Sequence, residues 1–258
     1  MAISVDLSGR RALITGAGQG IGAEVARSLA RAGASVLVND LVPERAESQA
    51  AAIRSSGGDA GAAPFDVTDY VRVTEVVGRL GDVDILVNNA GNAGADGWPG
   101  MVDFVETEPA DWDRFLQVNL YGVMNVTRAV LPRMVAMGWG RVVTIVSDAA
   151  RVGERKMAAY AAAKAGAAGL MRAIAAEVGS SGITANSISL GTMRTPLTEA
   201  SWADLDEQQV AARLRGYPIR RPGSPEDVAG LVGYLVGPES SWITGQTIPL
   251  NGGYSSGL

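Results

Sequence analysis

The sequence contains no cysteine and no histidine. Without cysteine there is no disulfide, no thiol nucleophile and no Cys-ligated zinc. Without histidine there is no Ser-His-Asp triad and no imidazole to exchange protons near neutral pH. A metal would need oxygen ligands alone, and no clustered carboxylate motif offers them. Aromatic residues are 5% of the 258 residues while hydrophobic residues are 47%, so the core must be built from small aliphatic side chains. Basic charge is also short: 22 Lys and Arg against 27 Asp and Glu leave a net charge of −5. That balance argues against nucleic acid, whose affinity rests on neutralising phosphates. No apolar run approaches the roughly 18 residues of a membrane span. The start, Met1-Ala2-Ile3-Ser4-Val5-Asp6, lacks a signal-peptide layout, and a cytoplasmic location is expected.

What is present is an alternation. Short apolar runs at Arg11–Thr15, Ser35–Asn39, Gly61–Phe65, Asp84–Val87, Arg141–Val146, Thr184–Ser189 and Thr247–Leu250 read as strands. Helical periodicity fills Gly20–Ala32, Pro43–Ser56, Tyr70–Leu80, Ala110–Met137, Met157–Val178 and Pro225–Val236. Ser224-Pro225-Glu226-Asp227 is a helix start, with a Ser cap, Pro at the first position and an acid at the third. Strand–helix alternation predicts an α/β fold with a doubly wound parallel sheet covered on both faces. No linker divides the chain, so residues 1–258 read as a single domain. Asn92–Val105 and Pro196–Pro218 fit the rhythm poorly and are expected to be loops near a ligand, with 196–218 as a substrate-binding lid.

Three features carry chemistry. First, the opening strand runs into Thr15-Gly16-Ala17-Gly18-Gln19-Gly20-Ile21-Gly22 before a helix. Glycines there let the backbone turn tightly and approach a pyrophosphate at the helix N-terminus; the alternative is merely a tight turn. Second, Asp40 ends the second strand, 18 residues beyond Gly22. An acid there accepts hydrogen bonds from ribose hydroxyls and repels a 2′-phosphate, favouring NAD over NADP, unless it only caps the following turn. Third, Tyr160 and Lys164 stand four apart and share one helical face. A cation beside a phenol favours the phenolate and makes it a proton relay, although a lone pair of this kind is more often solvated surface.

Taken together, these residues resemble the short-chain dehydrogenase/reductase family, in its single-domain branch. The glycine turn matches that family's T-G-x-x-x-G-x-G, and Asn88-Asn89-Ala90-Gly91 matches its N-N-A-G run. Asn119 stands where its helix asparagine does. Ser147 lies 13 residues before Tyr160, and Tyr160…Lys164 completes the set. Asn186-Ser187-Ile188-Ser189-Leu190-Gly191 is similar to its N-x-I-x-P-G, and the segment Trp242–Gly253 to its closing strand and turn. Leu190 and Asn251 depart from the usual Pro and Asp.

The resemblance implies a nicotinamide-dependent oxidoreductase acting on a secondary alcohol or ketone. Asn119, Ser147, Tyr160 and Lys164 would be catalytic. Gly16, Gln19, Gly20, Ile21, Gly22, Asp40, Asp66, Val67, Asn88, Ala90, Gly91, Tyr160, Lys164, Gly191, Thr192 and Thr195 would line the cofactor. Trp98, Met101, Met193, Leu197 and Trp202 are apolar candidates for a substrate pocket. Arg151, Arg155 and Lys156, between Ser147 and Tyr160, offer to bind a carboxylate or a CoA or carrier-protein phosphate, or simply belong to a solvated loop held by Asp148 and Glu154. The segment 147–153 is similar to members that oxidise β-hydroxyacyl-CoA esters, so a 3-oxoacyl reductase is the alternative within the class. A non-catalytic dinucleotide-binding scaffold, or a sugar-nucleotide epimerase or dehydratase, is the alternative outside it. Family members pair two long helices about a two-fold axis, and a homotetramer is expected.

Overall fold

The computed structural model describes residues 5–92, 102–196 and 198–256. Seven strands form one parallel sheet: β1 (Arg11–Ile14), β2 (Ser35–Val38), β3 (Asp59–Ala62), β4 (Ile85–Asn88), β5 (Gly140–Ser147), β6 (Ile183–Leu190) and β7 (Thr247–Leu250), in the order β3-β2-β1-β4-β5-β6-β7. The strand order reverses between β1 and β4, and a doubly wound sheet opens its crevice at that point, outside the carboxyl ends of the strands. The glycine turn follows β1 and Ser147 closes β5, so both candidate motifs sit at the same end of the sheet.

Helices cover both faces. On one side lie α1 (Gly20–Arg31), α2 (Pro43–Ser55) and α10 (Pro225–Val236), which bury Val25, Leu29, Ala50, Ile53, Val232 and Leu235. On the other lie α3 (Tyr70–Leu80), α5 (Gly122–Met137) and α7 (Ala158–Val178), which bury Val73, Val77, Val126, Met134, Ala167 and Met171. Starts follow the expected signals. Asp69 accepts a hydrogen bond from the Arg72 N–H at the head of α3, and Ser224 and Asp227 form a reciprocal capping box on α10.

Three elements differ from the sequence reading. The third strand is Asp59–Ala62 rather than Gly61–Phe65. Ala60, Gly61 and Ala62 pair with Val36, Leu37 and Val38, and Pro64, with no N–H to donate, stands just beyond. The expected continuous helix 110–137 is α4 (Pro109–Leu116), one π-helical turn at Gln117–Tyr121, and then α5. A short α6 (Ala149–Val152) occupies the loop after Ser147. Within 196–218 the chain forms α8 (Ala200–Ala203) and α9 (Glu207–Arg213), held by a small apolar cluster of Trp202, Leu214 and Tyr217. No helix among the described residues is long and apolar enough to cross a membrane.

Candidate active site

The glycine turn is built by conformation and by close packing. Gly16 and Gly20 both have φ of +60°, where a side chain is strained. A Cβ on Gly16 would stand 2.9 Å from the Ala90 Cα, and one on Gly22 would stand 2.5 Å from the Asn89 Nδ2 and the Gly16 carbonyl oxygen. Thr15 Oγ1 accepts the N–H groups of Asn89 and Ala90 at 3.0 Å, and Asn89 Nδ2 donates to the Thr15 and Gly16 carbonyls. The turn after β1 and the run after β4 are thus stitched into one rigid floor.

Gln19 is the N-cap of α1 and, among the described residues, makes no side-chain cap, leaving the first N–H groups of the helix to the cleft. Asp40 is buried beside the turn; its carboxylate accepts from the N–H groups of Gly18 (3.2 Å) and Val42 (3.0 Å). Ile21 packs on the core beneath. Asp66 accepts from the Thr68 N–H and hydroxyl, and Val67 packs against Gly122. Asn88 donates to Thr127 and Thr144, so it braces the sheet. A pyrophosphate on the uncapped helix end and a ribose beside Asp40 suit a dinucleotide: glycines form the cradle, and backbone N–H groups with one carboxylate are the donor and acceptor set.

The chemistry-bearing side chains gather at the ends of β5 and β6. Lys164 is buried and donates from Nζ to the Ile145 carbonyl at 2.9 Å. Its Nζ lies 5.9 Å from the centre of the Tyr160 ring. Burial drives Lys164 down to about 8. Burial pushes the Tyr160 phenol up to about 12; a hydrogen bond from Ser147 pulls against that, and the charge of Glu154 adds to it. The expected lowering of the phenol by Lys164 is not seen, because desolvation disfavours both charged forms at once.

Asn119 reaches this group because of the π turn. Its amide donates to the Phe115 carbonyl and to the carbonyl and side-chain oxygens of Asn92. Its buried Oδ1 has no hydrogen-bond partner among the described residues. A Cβ on Gly91 would stand 2.8 Å from that Oδ1 and 3.2 Å from the Lys164 Nζ, so both atoms converge on the bare Gly91 backbone. Ser147 Oγ accepts from the Ala149 N–H at 3.2 Å.

Other expected residues are placed differently. Arg151 donates to Asp148 (3.2 Å) and to Ser255 (2.9 Å), so its guanidinium is tied down by the protein itself. Arg155 is exposed and stands 3.9 Å from Asp103. These contacts favour the solvated-loop reading over an anion site. Trp202 lies in the apolar cluster of 196–218 with Arg213 stacked on its ring at 4.0 Å. Met193 packs against Gly223. Gly191 stands against Asn251, with a Cβ there 2.9 Å from the Asn251 Cα; Thr192 donates its N–H to the Tyr217 hydroxyl; Thr195 is buried and bonded to Thr198. Trp98, Met101 and Leu197 lie outside the described residues.

Sequence reasoning missed the parts played by Asn39 and Tyr217, and gave Glu154 only as a group holding its loop. Asn39 bonds Gly16 on one side and the Ala63 and Phe65 carbonyls on the other, fixing the floor of the cradle. Glu154 sets a carboxylate near Tyr160; burial and the charge of Asp148 raise its pKa. Tyr217 stacks on Tyr254 at 4.7 Å and supports Thr192. The only signals for them were their positions, beside Asp40, between Ser147 and Tyr160, and at the end of the proposed lid.

Comparison with known proteins gives a consistent result along the chain. A family model described as enoyl-(acyl carrier protein) reductase matches residues 16–255. The 7α-hydroxysteroid dehydrogenase of Escherichia coli K12 is 36% identical over 251 residues, covering 96% of this chain and 94% of that protein. A gluconate 5-dehydrogenase from Burkholderia cenocepacia, solved with NADP and tartrate, superposes with a TM-score of 0.89 at 35% identity, covering 98% of each chain. A 7α-hydroxysteroid dehydrogenase solved with NADH and 7-oxo glycochenodeoxycholic acid superposes with a TM-score of 0.86 at 35% identity, over 97% of this chain and 96% of that one.

Proposed function

From the premise that this chain belongs to the short-chain dehydrogenase/reductase family, and is an oxidoreductase of CH–OH groups that uses a nicotinamide dinucleotide, we propose that it interconverts a neutral secondary alcohol and its ketone with NAD(H). The observation that carries this reading is the convergence of Tyr160, Lys164, Ser147 and the unpartnered Asn119 Oδ1 at the mouth of the crevice beside the glycine cradle.

The glycine turn, the head of α1 and Asp40 would hold the cofactor, with Asp66, Val67, Ala90 and Gly91 along the adenosine and ribose side and Gly191, Thr192 and Thr195 at the nicotinamide. When bound, the nicotinamide supplies the hydride acceptor or donor. Tyr160 takes the alcohol proton at its phenol oxygen during oxidation and returns it to the carbonyl oxygen during reduction. Ser147 hydrogen-bonds the substrate oxygen and orients it. Lys164, charged below about pH 8, favours the phenolate. The Asn119 Oδ1 accepts from a water that links Lys164 to solvent. Residues 196–218 act as the lid. Asp40 favours NAD, because a 2′-phosphate would meet a carboxylate.

Charge separates the substrate classes. The charge of the acid Glu154 acts on Tyr160 from the loop side, while Arg151 is engaged with Asp148 and Ser255. A carboxylate near Tyr160 and an arginine already engaged by the protein disfavour CoA and carrier-protein phosphates and favour uncharged alcohols. Absorbance assays with NAD and NADP over a panel of neutral secondary alcohols and β-hydroxyacyl thioesters test this. A kcat/KM at least about 10-fold higher for NAD and for a neutral alcohol is expected. Equal use of NADP, or preference for the thioester, overturns the cofactor or the substrate assignment respectively.

We also propose a cytoplasmic homotetramer. Supporting it, α7 exposes the small residues Ala158, Ala162 and Ala165, and α5 with the preceding turn exposes Tyr121 and Met124. Light scattering should give four chain masses, and a monomeric mass refutes the assembly.

A further inference from the structure

Asp148, next in sequence to Ser147, is 1% exposed and carries an unusual number of partners for a loop carboxylate. Its Oδ1 accepts from the Ser189 hydroxyl at 2.6 Å and from Arg151 at 3.2 Å. Its Oδ2 accepts from Asn251 Nδ2 at 2.5 Å and from the Ser255 hydroxyl at 2.7 Å. Its own N–H donates to the Leu190 carbonyl at 2.9 Å, and its carbonyl accepts from Arg151 and Val152. Although it stands at the N-cap of α6, the side chain does not cap that helix. It reaches instead across the end of β6 to the C-terminal turn.

We propose that Asp148 is a positioning residue for Ser147, an ionised latch fastening the serine's loop to β6 and to the turn Asn251–Ser255. The inference rests on the reading of Ser147 as the group that orients the substrate. Ser147 Oγ is fixed by the Ala149 N–H, so Asp148 sits between the serine and the backbone group that aims it. The latch also accounts for Asn251, where the family places Asp. The Asn251 amide is oriented unambiguously: Oδ1 accepts the Gly253 N–H, and Nδ2 faces Asp148 and Ser255. A carboxylate at 251 would meet the carboxylate of Asp148 in a buried site, where like charges cannot both ionise. The two positions therefore form a matched pair, acid at 148 and amide at 251.

The charged and titratable groups facing the latch are Arg151 from α6, Glu154 beyond it in the same loop, and Tyr254 from the C-terminal turn; Ser189, from β6, is neutral. Burial opposes ionisation of Asp148, but the bonds from Ser189, Ser255, Asn251 and Arg151 outweigh it and hold the carboxyl below its ordinary range. The charge is thus present throughout the working range of the wild-type enzyme.

Purified full-length chains carrying Asn251→Asp, Asp148→Asn and both together decide the matter, with kcat and KM for the best alcohol measured from pH 5.5 to 9 and dinucleotide Kd by fluorescence. Asn251→Asp should lose at least about 10-fold in kcat at pH 8 and regain activity toward pH 6 as the carboxyl pair takes up a shared proton. Dinucleotide Kd should stay within about 3-fold, because the glycine turn, the head of α1 and Asp40 are untouched. Asp148→Asn should lose kcat without that recovery. The double variant should restore kcat to within about 3-fold and return the wild-type pH profile. An active wild type alongside an Asn251→Asp variant with unchanged kcat and profile overturns the latch alone. So does a double variant no better than the poorer single. Should Asn251→Asp fail to fold, the double variant decides: folded with restored kcat supports the latch, and anything less overturns it. A wild-type chain that turns over no alcohol overturns the functional reading itself.

Discussion

The two halves of the crevice are made of different materials. At the ends of β1, β2 and β4 the surface is backbone: glycines at φ +60°, N–H groups at the head of α1, and Thr15, Asn39 and Asn89 bonding loops to each other. At the ends of β5 and β6 it is ionisable side chain, buried or half-buried: Lys164 at about 8, Tyr160 at about 12, and Asp148 held low. The first half is specialised in conformation, with glycines where a side chain would be strained. The second is specialised in charge, since burial pushes Lys164 and Tyr160 toward their neutral forms. Binding a large polar ligand needs shape that does not move, which backbone supplies. Moving a proton needs groups whose ionisation responds to their surroundings, which only side chains supply.

The sharpest way to break the comparison is a reciprocal pair of variants. Tyr160→Phe keeps the ring and removes the proton, so kcat should fall by a factor on the order of 10² or more while dinucleotide Kd stays within about 2-fold. Gly16→Val should do the opposite to binding. It puts a branched side chain at φ +60° with its Cβ 2.9 Å from the Ala90 Cα, and should weaken dinucleotide binding at least about 10-fold and lower the melting midpoint. If each variant damaged both readouts equally, the two halves would not be separate.

A smaller effect sharpens the electrostatic side. The folded chain holds Lys164 at about 8, against 10.5 when exposed. Between those values the unfolded chain binds more protons, so this lysine's contribution to stability rises with pH across the window; below it, the full cost of burying the charge remains. Lys164→Met removes the cost. It should stabilise the ligand-free protein at pH 7 by up to roughly 3 kcal/mol, with the gain fading by about pH 10.5. Urea midpoints of wild type and variant at several pH values check this, and a gain independent of pH would count against it.

The same contrast governs what could be read from the sequence. Conformational requirements are local, so the glycine turn, every strand position but the third and the capping box at Ser224 stood in the chain as short patterns. Tyr160 and Lys164 were legible because a helix fixes the meaning of a four-residue spacing. The environment of those groups was not legible, and the phenol's upward shift runs against what the spacing alone suggested. Asp148 was read as a loop acid because its partners lie 41 residues away at Ser189 and more than 100 away at Asn251 and Ser255. Arg151 was left open between an anion site and a loop held by Asp148, and its second partner, Ser255, lies 104 residues away. The third strand was misplaced because Ala63-Pro64-Phe65 is apolar enough to look like sheet, and only the pairing with β2 shows where it ends.

The π-helical turn at Gln117–Tyr121 has a further consequence. An α-helix advances about 100° per residue, so one extra residue in a turn rotates everything before it by that amount relative to everything after. The segment 109–137 thereby presents two different sides along one continuous rod. Its later part lays Val126, Val130 and Met134 on the sheet. Its earlier part brings Phe115 edge-on to Tyr160, with ring centres 6.2 Å apart, and turns Asn119 inward. A single helix thus packs the core with one length and faces Tyr160 with another, and the added residue is the joint between them.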